Sequence, residues 1–262
     1  MKACFEVPMV HMEDYEDEQD YLFAFAHLYL LHPKYREYCL DWRMRHPDQY
    51  LILDNGAWEG HLVAGAELIQ IAKDLQANEV VAPDVVDDPE ATLKHLGEFV
   101  PMAHSEGLKV QVALQGLQYK AYENMVLKAF DLQVDSFGMT IGPIYKVDKF
   151  DLFTGNWATD SEWTRLRLVQ KLSSTFEELR GRFHLLGCNN PWCLQSYGDE
   201  INTLDTSIAV TLARQFVSIH SKGSMIFPKP VGPNLAFEGK ISNSIREMVR
   251  ENMRGIKKLI GG

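Results

Sequence analysis

The chain has 262 residues, 46% of them hydrophobic and 24% charged, so it is long enough to bury one large core and has an ordinary globular composition. Its net charge of −10 argues against indiscriminate binding to nucleic acid. No uninterrupted apolar run reaches the roughly 18 residues that a membrane helix needs. The N-terminal sequence lacks the apolar stretch that is typical of a signal peptide. We therefore expect a cytoplasmic protein that does not bind membranes.

The first 48 residues are expected to form an N-terminal cover segment in front of the regular part of the chain. They contain the acidic segment Glu13–Asp20, which is most simply interpreted as a solvated loop or the start of a helix.

After residue 48, short apolar runs rich in β-branched residues stop abruptly at polar residues or glycine. Such runs are typical of strands that are buried on both faces, as in a parallel sheet. They lie at residues 50–54, 79–84, 108–115, 135–140, 183–187 and 201–205. Helical patterns lie between them, at residues 62–73, 91–105, 119–130 and 160–179.

The predicted strand ends at residues 54, 84, 115 and 140 lie 30, 31 and 25 residues apart, which is about one βα unit each. Repeated βα units without a Gly-rich dinucleotide or phosphate fingerprint favour a barrel. We therefore predict an α/β fold, a single-domain TIM-like (β/α)8 barrel over residues 1–262. An insertion is expected around residues 145–157, and a basic helix at residues 240–260.

Polar side chains follow several of the predicted strands. Barrel active sites are built from the C-terminal ends of the strands. One aspartate at such a place can simply begin a turn or cap a helix, but several together favour a site. The residues are Asp54, Asp84, Gln115 and Asp205, and we expect them to converge on one pocket.

These motifs resemble, in their order, those of the tRNA-guanine transglycosylases, and most of all the short phage and bacterial relatives that modify DNA. The family's D-S-G-G-Y/F-Q loop is matched by Asp54–Glu59, and its second aspartate by Asp84. Its V-Q-G, G-G-L and L-M-G segments are matched by Leu114–Gly116, loosely by Met139–Gly142, and by Leu185–Gly187. Its nucleophilic aspartate and the arginine nine residues later are matched by Asp205 and Arg214.

The resemblance implies an enzyme that replaces guanine in a nucleic acid with a 7-deazaguanine of the preQ0 or preQ1 type. Base exchange at C1′ with retention needs two displacements, and the resemblance makes Asp205 the nucleophile that holds the ribosyl intermediate. It makes Asp54 the carboxylate that moves the proton between the leaving and incoming bases.

The resemblance also implies how the base is held. Asp84 would accept hydrogen bonds from N1–H and N2–H₂ of guanine, and the Gln115 amide would donate to O6. Trp58 would stack on one face of the base and Leu186 on the other. The remaining positions implied at the base are Asn55, Gly116, Ile141, Gly142 and Gly187, where the backbone near Ile141 and Gly142 would contact the substituent of a 7-deazaguanine.

The chain departs from the tRNA enzymes after the nucleophile. Their C-x-C-x-x-C…H zinc site is missing, because no cysteine follows Cys193, and their RNA-binding extensions are missing too. We therefore expect DNA as the acceptor, in the host cytoplasm if the chain is phage-encoded, with no metal or organic cofactor. The lone histidines His11 and His184 and the scattered cysteines are expected to be structural.

Nucleic acid and a free 7-deazaguanine base are thus the expected partners. Residues 205–262 carry nine basic and four acidic residues, although the chain as a whole is acidic. In the C-terminal helix Arg246, Arg250 and Arg254 recur at i, i+4 spacing beside an apolar stripe. We interpret them, together with Arg214, as phosphate contacts, although a solvated basic face would show the same pattern.

Three alternatives stay open. The acceptor could be tRNA. The chain could instead be a barrel aldolase or isomerase for a small phosphorylated sugar, which calls for a Gly-rich phosphate site and usually a catalytic lysine. A non-enzymatic protein could use the acidic segment Glu13–Asp20 as a docking surface.

Overall fold

The computed structural model describes residues 1–116, 118–140, 157–188, 190–220 and 240–261. The strands are β1 (Lys2–Phe5), β2 (Leu22–Phe25), β3 (Leu51–Asp54), β4 (Glu79–Val81), β5 (Lys109–Leu114), β6 (Ser136–Met139), β7 (Phe183–Leu185) and β8 (Ile201–Thr206). The helices are α1 (Ala26–Leu31), α2 (Pro33–Arg45), α3 (Gly65–Asp74), α4 (Pro89–Ser105), α5 (Tyr119–Asp131), α6 (Trp157–Thr175), α7 (Ile208–Arg214) and α8 (Asn243–Leu259). Short 3-10 helices lie at Met9–His11, Glu13–Glu18, Glu177–Leu179 and Pro191–Ser196.

The eight strands follow the order β1-β8-β7-β6-β5-β4-β3-β2 in one sheet and alternate with helices. Every strand pair whose register is described is parallel. This arrangement is that of a TIM-like (β/α)8 barrel. The fold class predicted from the sequence is confirmed.

The chain divides into two compact units. The first unit consists of Met1–Asp20 and Lys149–Gly262, and the second of Tyr21–Asp148. In the first unit β8 pairs with β1 and β7, and Cys4 lies opposite Asp205. In the second unit β2 to β6 pair in chain order, and Phe25 lies opposite Asp54.

The six strands predicted after residue 48 are present as β3 to β8, and the four predicted helices as α3 to α6. The prediction for residues 1–48 is wrong, because this segment contributes β1 and β2 to the sheet rather than a cover. Leu22–Phe25 is buried at every position and runs directly into α1, so no turn residue marks where the strand ends. The predicted insertion at residues 145–157 lies almost wholly outside the described residues.

The start of α4 follows the sequence signals closely. Asp88 accepts a hydrogen bond from the Ala91 backbone N–H at 3.0 Å, and Pro89 occupies the first helical position. This is the capping arrangement that the Asp-Pro-Glu sequence predicts, because proline has no N–H to leave unpaired. The helix packs against β5, and Phe99 and Ala103 are among the side chains it buries.

The C-terminal helix α8 is joined to α7 through one buried amide. Asn252 is fully buried, accepts a hydrogen bond from Ile219 N–H at 2.7 Å, and donates to the carbonyls of Ala209 and Val217 at 3.3 and 3.1 Å. Asn252→Leu keeps the branching of the side chain but leaves three backbone groups without these partners. We expect it to lower the free energy of unfolding by about 2–4 kcal/mol in denaturant titrations. The exposed neighbour variant Glu251→Leu is the control, and equal stability of the two would contradict this role.

Among the described residues, no helix is both long and apolar enough to cross a membrane.

Candidate active site

The second unit holds a buried cluster of one carboxylate and two amides at the ends of β3, β4 and β5, which we call the amide–carboxylate cluster (Asn55, Asp84 and Gln115). The Asn55 amide donates to Asp84 Oδ1 at 2.8 Å and to the Ala82 carbonyl at 2.7 Å. The Gln115 amide donates to Asp84 Oδ2 at 2.6 Å. All three cluster side chains are at least 94% buried. Three of the predicted site residues therefore lie in hydrogen-bonding contact, with Asp84 and Gln115 among the four that were expected to converge.

The environment of Asp84 sets its protonation. Burial raises the pKa of the Asp84 carboxyl above its usual range, and the hydrogen bonds from Asn55 and Gln115 act in the opposite direction. Each carboxylate oxygen has one amide donor and keeps lone-pair capacity for a second. A backbone hydrogen bond also reaches the Asp84 carboxylate, and a ligand donor would use the lone-pair capacity that remains.

Gln115, the expected donor to the base, already uses part of its amide within the cluster. Its amide nitrogen already donates to Asp84, and its oxygen accepts from the Asp87 backbone N–H at 3.4 Å. The amide retains one more hydrogen, which could serve a ligand atom without breaking the cluster. Next to it, Gly116 has φ +154, and an added Cβ would come within 2.9 Å of the Ala121 side chain, so only glycine fits there.

Asp54 ends β3 and begins a tight turn. Its Oδ2 accepts from the Gly56 N–H at 2.9 Å, while Asn55 Oδ1 accepts from the Ala57 N–H at 2.7 Å. Gly56 adopts φ +79, a left-handed conformation that other residues disfavour. The turn presents Trp58, whose surface is 64% exposed. An exposed aromatic ring at this place is available for stacking, as the sequence predicts.

The first unit holds a second cluster, around Asp205 near the end of β8. Asp205 Oδ1 accepts from His184 Nε2 at 2.9 Å and from the Gly187 N–H at 3.2 Å. The other ring nitrogen of His184 bonds the Thr203 hydroxyl at 2.8 Å. Asp205 and His184 are 4% and 1% exposed. The carboxylate oxygen is therefore fixed by two donors in a site largely shielded from water.

His184 was expected to be structural; its ring bonds the carboxylate of Asp205, the predicted nucleophile. The sequence carried one usable signal, a polar residue inside the otherwise apolar strand run 183–187. His11 bonds the Asp14 carboxylate at 2.9 Å and the Ile241 backbone N–H, which is a structural role as expected.

A buried ion pair supports the loop that donates to Asp205. Arg165 donates to the carbonyl of Gly187 at 2.7 Å. Its Nη2 atom also donates to both carboxylate oxygens of Glu162, at 2.7 and 2.6 Å. Tyr197 completes the network, with its hydroxyl 3.3 Å from Arg165 Nε and 3.2 Å from Glu162 Oε2. All three side chains are fully buried, and no motif in the sequence pointed to them.

The other predicted site residues are placed as follows. Leu186 and Gly187 follow β7 and are half-buried, and Arg214 is the half-buried last residue of α7. Ile141 and Gly142 lie outside the described residues. Asp205 belongs to the first unit and Asp54, Asp84 and Gln115 to the second, so the convergence of all four on one pocket stays a prediction.

The basic stripe of α8 is paired with the acidic segment Glu13–Asp20 rather than free. Its charged groups meet carboxylates at 2.7–2.9 Å. The pairs are Arg246–Asp14, Arg250–Asp17, Arg254–Glu18 and Lys257–Asp20. Glu13–Asp20 was expected to be a solvated loop or the start of a helix, and Glu13–Glu18 forms a 3-10 helix in which Asp14 and Asp17 stay exposed while they pair with α8. Because the stripe is paired, its charge gives no support for phosphate contacts by Arg246, Arg250 and Arg254. The docking-surface alternative loses the same acidic groups.

These pairs predict a salt-dependent stability. Arg250→Glu places a carboxylate beside Asp17 and removes the cation from the face of the Tyr15 ring, 5.6 Å away. We expect a fall in Tm of about 2–4 °C at low salt and less at high salt, since exposed pairs contribute little each. Adding Asp17→Arg should restore part of it, and Lys258→Glu on the same helix is the matched control. Weaker nucleic-acid binding with an unchanged Tm would instead return Arg250 to its originally predicted role.

Among the described residues, no group of three or more His, Cys, Asp and Glu side chains is arranged to hold a metal ion. The chain matches no protein-family model and no curated protein.

Proposed function

We propose that this protein is a base-exchange transglycosylase that replaces guanine in nucleic acid, with DNA as the favoured acceptor, by a 7-deazaguanine. The observation that best supports the proposal is the buried amide–carboxylate cluster. Guanine-type bases alone combine an N1–H/N2–H₂ donor edge with an O6 acceptor. A carboxylate complements the donor edge, and an amide beside it complements O6.

The chemistry assigned to Asp205 is nucleophilic. In the first displacement a bond forms between a carboxylate oxygen of Asp205 and C1′, and the bond from C1′ to N9 of guanine breaks, leaving its electron pair on the base. We assign Oδ1 as the anchored oxygen, because it accepts from His184 and Gly187, and Oδ2 as the attacking one. His184 is thus a positioning residue.

The chemistry assigned to Asp54 is proton transfer. Its carboxyl gives a proton to the departing guanine, and the resulting carboxylate takes the N9 proton of the incoming 7-deazaguanine. The freed electron pair of the new base then attacks C1′, and the Asp205 ester bond breaks. Two inversions give net retention, and both aspartates return to their starting state. No cofactor is needed to balance the reaction.

The proposal is tested by mass analysis of nucleosides from cells that express the chain and are supplied with a 7-deazaguanine base. We expect the modified deoxynucleoside in DNA, and none in DNA from cells that express the Asp205→Asn variant. The modified nucleoside in tRNA alone would change the acceptor and keep the reaction. Its absence from both DNA and tRNA would refute the proposal.

A further inference from the structure

His27 is a buried histidine whose ring nitrogens are unused for hydrogen bonding within the described part of the chain. It lies in α1, two residues after the end of β2, and is 97% buried. Neither Nδ1 nor Nε2 has a hydrogen-bond partner among the described residues. A buried polar group without a partner costs stability, so such a group in a native fold calls for an explanation.

Packing accounts for the ring but not for its nitrogens. The ring meets Phe25 edge to face at a centroid distance of 5.9 Å, and His61 stacks on it at 5.6 Å. A phenylalanine ring could make both contacts. The ring also lies against the turn after Asp54, because a Cβ added to Gly56 would come within 2.8 Å of His27 Nδ1.

The ring is neutral at physiological pH. Burial, together with the neighbouring His61 and His32, lowers the pKa of His27 to about 4. A neutral imidazole offers one N–H donor and one acceptor nitrogen. This pair of groups suits an uncharged polar partner such as a hydroxyl or an ether oxygen rather than an anion.

The strand order indicates which part of a substrate would lie there. In the second unit the strands run β2, β3, β4, β5, so His27, Asp54, Asp84 and Gln115 follow neighbouring strands in that order. Adjacent strands are about 4.8 Å apart, which puts β2 roughly 10 Å from β4. If the base edge lies on Asp84, the N9 side of the base points towards Asp54, and the sugar lies beyond it, on the side of His27.

We propose that His27 binds the sugar of the target nucleotide through its ring nitrogens. The inference rests on the proposed function for the identity of the ligand. It adds a residue that neither the motifs nor the candidate site included, and it explains why an unsatisfied histidine is kept beside the turn of Asp54.

The test uses His27→Phe, which keeps the aromatic packing and removes both nitrogens, and His27→Gln, which keeps a donor and an acceptor. Affinities are measured for guanosine, 2′-deoxyguanosine and 9-methylguanine, which has no sugar. We expect His27→Phe to weaken nucleoside binding roughly tenfold and 9-methylguanine binding less than twofold. His27→Gln should recover part of the loss. A loss for guanosine alone identifies the 2′-hydroxyl as the partner, and an equal loss for both nucleosides identifies another sugar oxygen.

Two further measurements separate this role from packing and from the proposed function. His27→Phe should unfold at the same Tm as wild type or higher, whereas a lower Tm with unchanged nucleoside affinity would make His27 structural. In the wild type, the ¹⁵N signals of the His27 ring should shift on addition of nucleoside but not of 9-methylguanine. Shifts without any base exchange would keep the sugar contact and refute the proposed function. Full nucleoside affinity of His27→Phe in an enzyme that exchanges base would refute the sugar contact alone.

Discussion

Asp205→Asn is expected to reduce the rate of base exchange by roughly four to six orders of magnitude, the scale seen when a covalent nucleophile is removed. The amide preserves size, and it can still accept from His184 and the Gly187 N–H. It lacks the negative charge that, in the proposed reaction, attacks C1′ and stabilises the developing positive charge on the sugar. The measurement is the incorporation of a labelled base into DNA and RNA.

Two controls give this result its meaning. Asp199→Asn makes the same change at an exposed carboxylate of the first unit and should leave the rate unchanged. His184→Gln should keep a donor near Oδ1 and retain more of the rate than His184→Phe, which removes it. Equal losses in the two His184 variants would show that the ring matters for packing rather than for holding Asp205.

Asp84→Asn is expected to lower the affinity for the free base by about 100-fold, because a charge-assisted bidentate contact is lost. An amide at this position also meets the two amide donors, Asn55 and Gln115, that now bond the carboxylate. Binding of the free base by calorimetry measures the effect. Asp131→Asn, at an exposed position in α5, is the matched control, and unchanged base affinity of Asp84→Asn would remove the cluster from the binding site.

The same cluster predicts the pH dependence of base binding in the wild type. In the proposed site the charged form of Asp84 accepts the two donors of guanine, and burial raises the pKa of this carboxyl. The affinity should therefore fall as the pH drops, and the fall should begin at a higher pH than an ordinary aspartate would give. Asp84→Asn should show no such fall.

The sequence predicted the repeating part of the fold because its strands end in polar residues or glycine. Runs such as 50–54 and 108–115 are mostly apolar and stop at Asp54 and Gln115, and they form β3 and β5. Leu22–Phe25 is equally apolar, but it continues into α1 without a turn residue, so periodicity could not separate strand from helix.

The candidate site was predictable where it depends on neighbouring strand ends and not where it depends on register. Asp84 and Gln115 follow β4 and β5, which are adjacent, and their contact agrees with the expectation. The bond of His184 to Asp205 depends on the register of β7 on β8, which shifts between Phe183 and His184. Hydrophobic patterning does not specify such an irregularity.

Charge runs were hard to interpret for a different reason. The acidic segment Glu13–Asp20 and the arginines of α8 are some 230 residues apart, and each alone has the composition of a solvated surface. Their complementary signs were visible in the sequence, but only the fold brings the two segments together.

Trapping the covalent intermediate tests the central claim most directly. End-labelled DNA and RNA oligonucleotides that contain guanine are mixed with each variant, quenched in denaturant and separated on denaturing gels. The mechanism predicts an adduct for wild type, a slowly formed adduct for Asp54→Asn that a new base cannot resolve, and none for Asp205→Asn. An adduct with Asp205→Asn but not with Asp54→Asn would reverse the two roles, and a wild type that forms no adduct and exchanges no base would contradict the assignment itself.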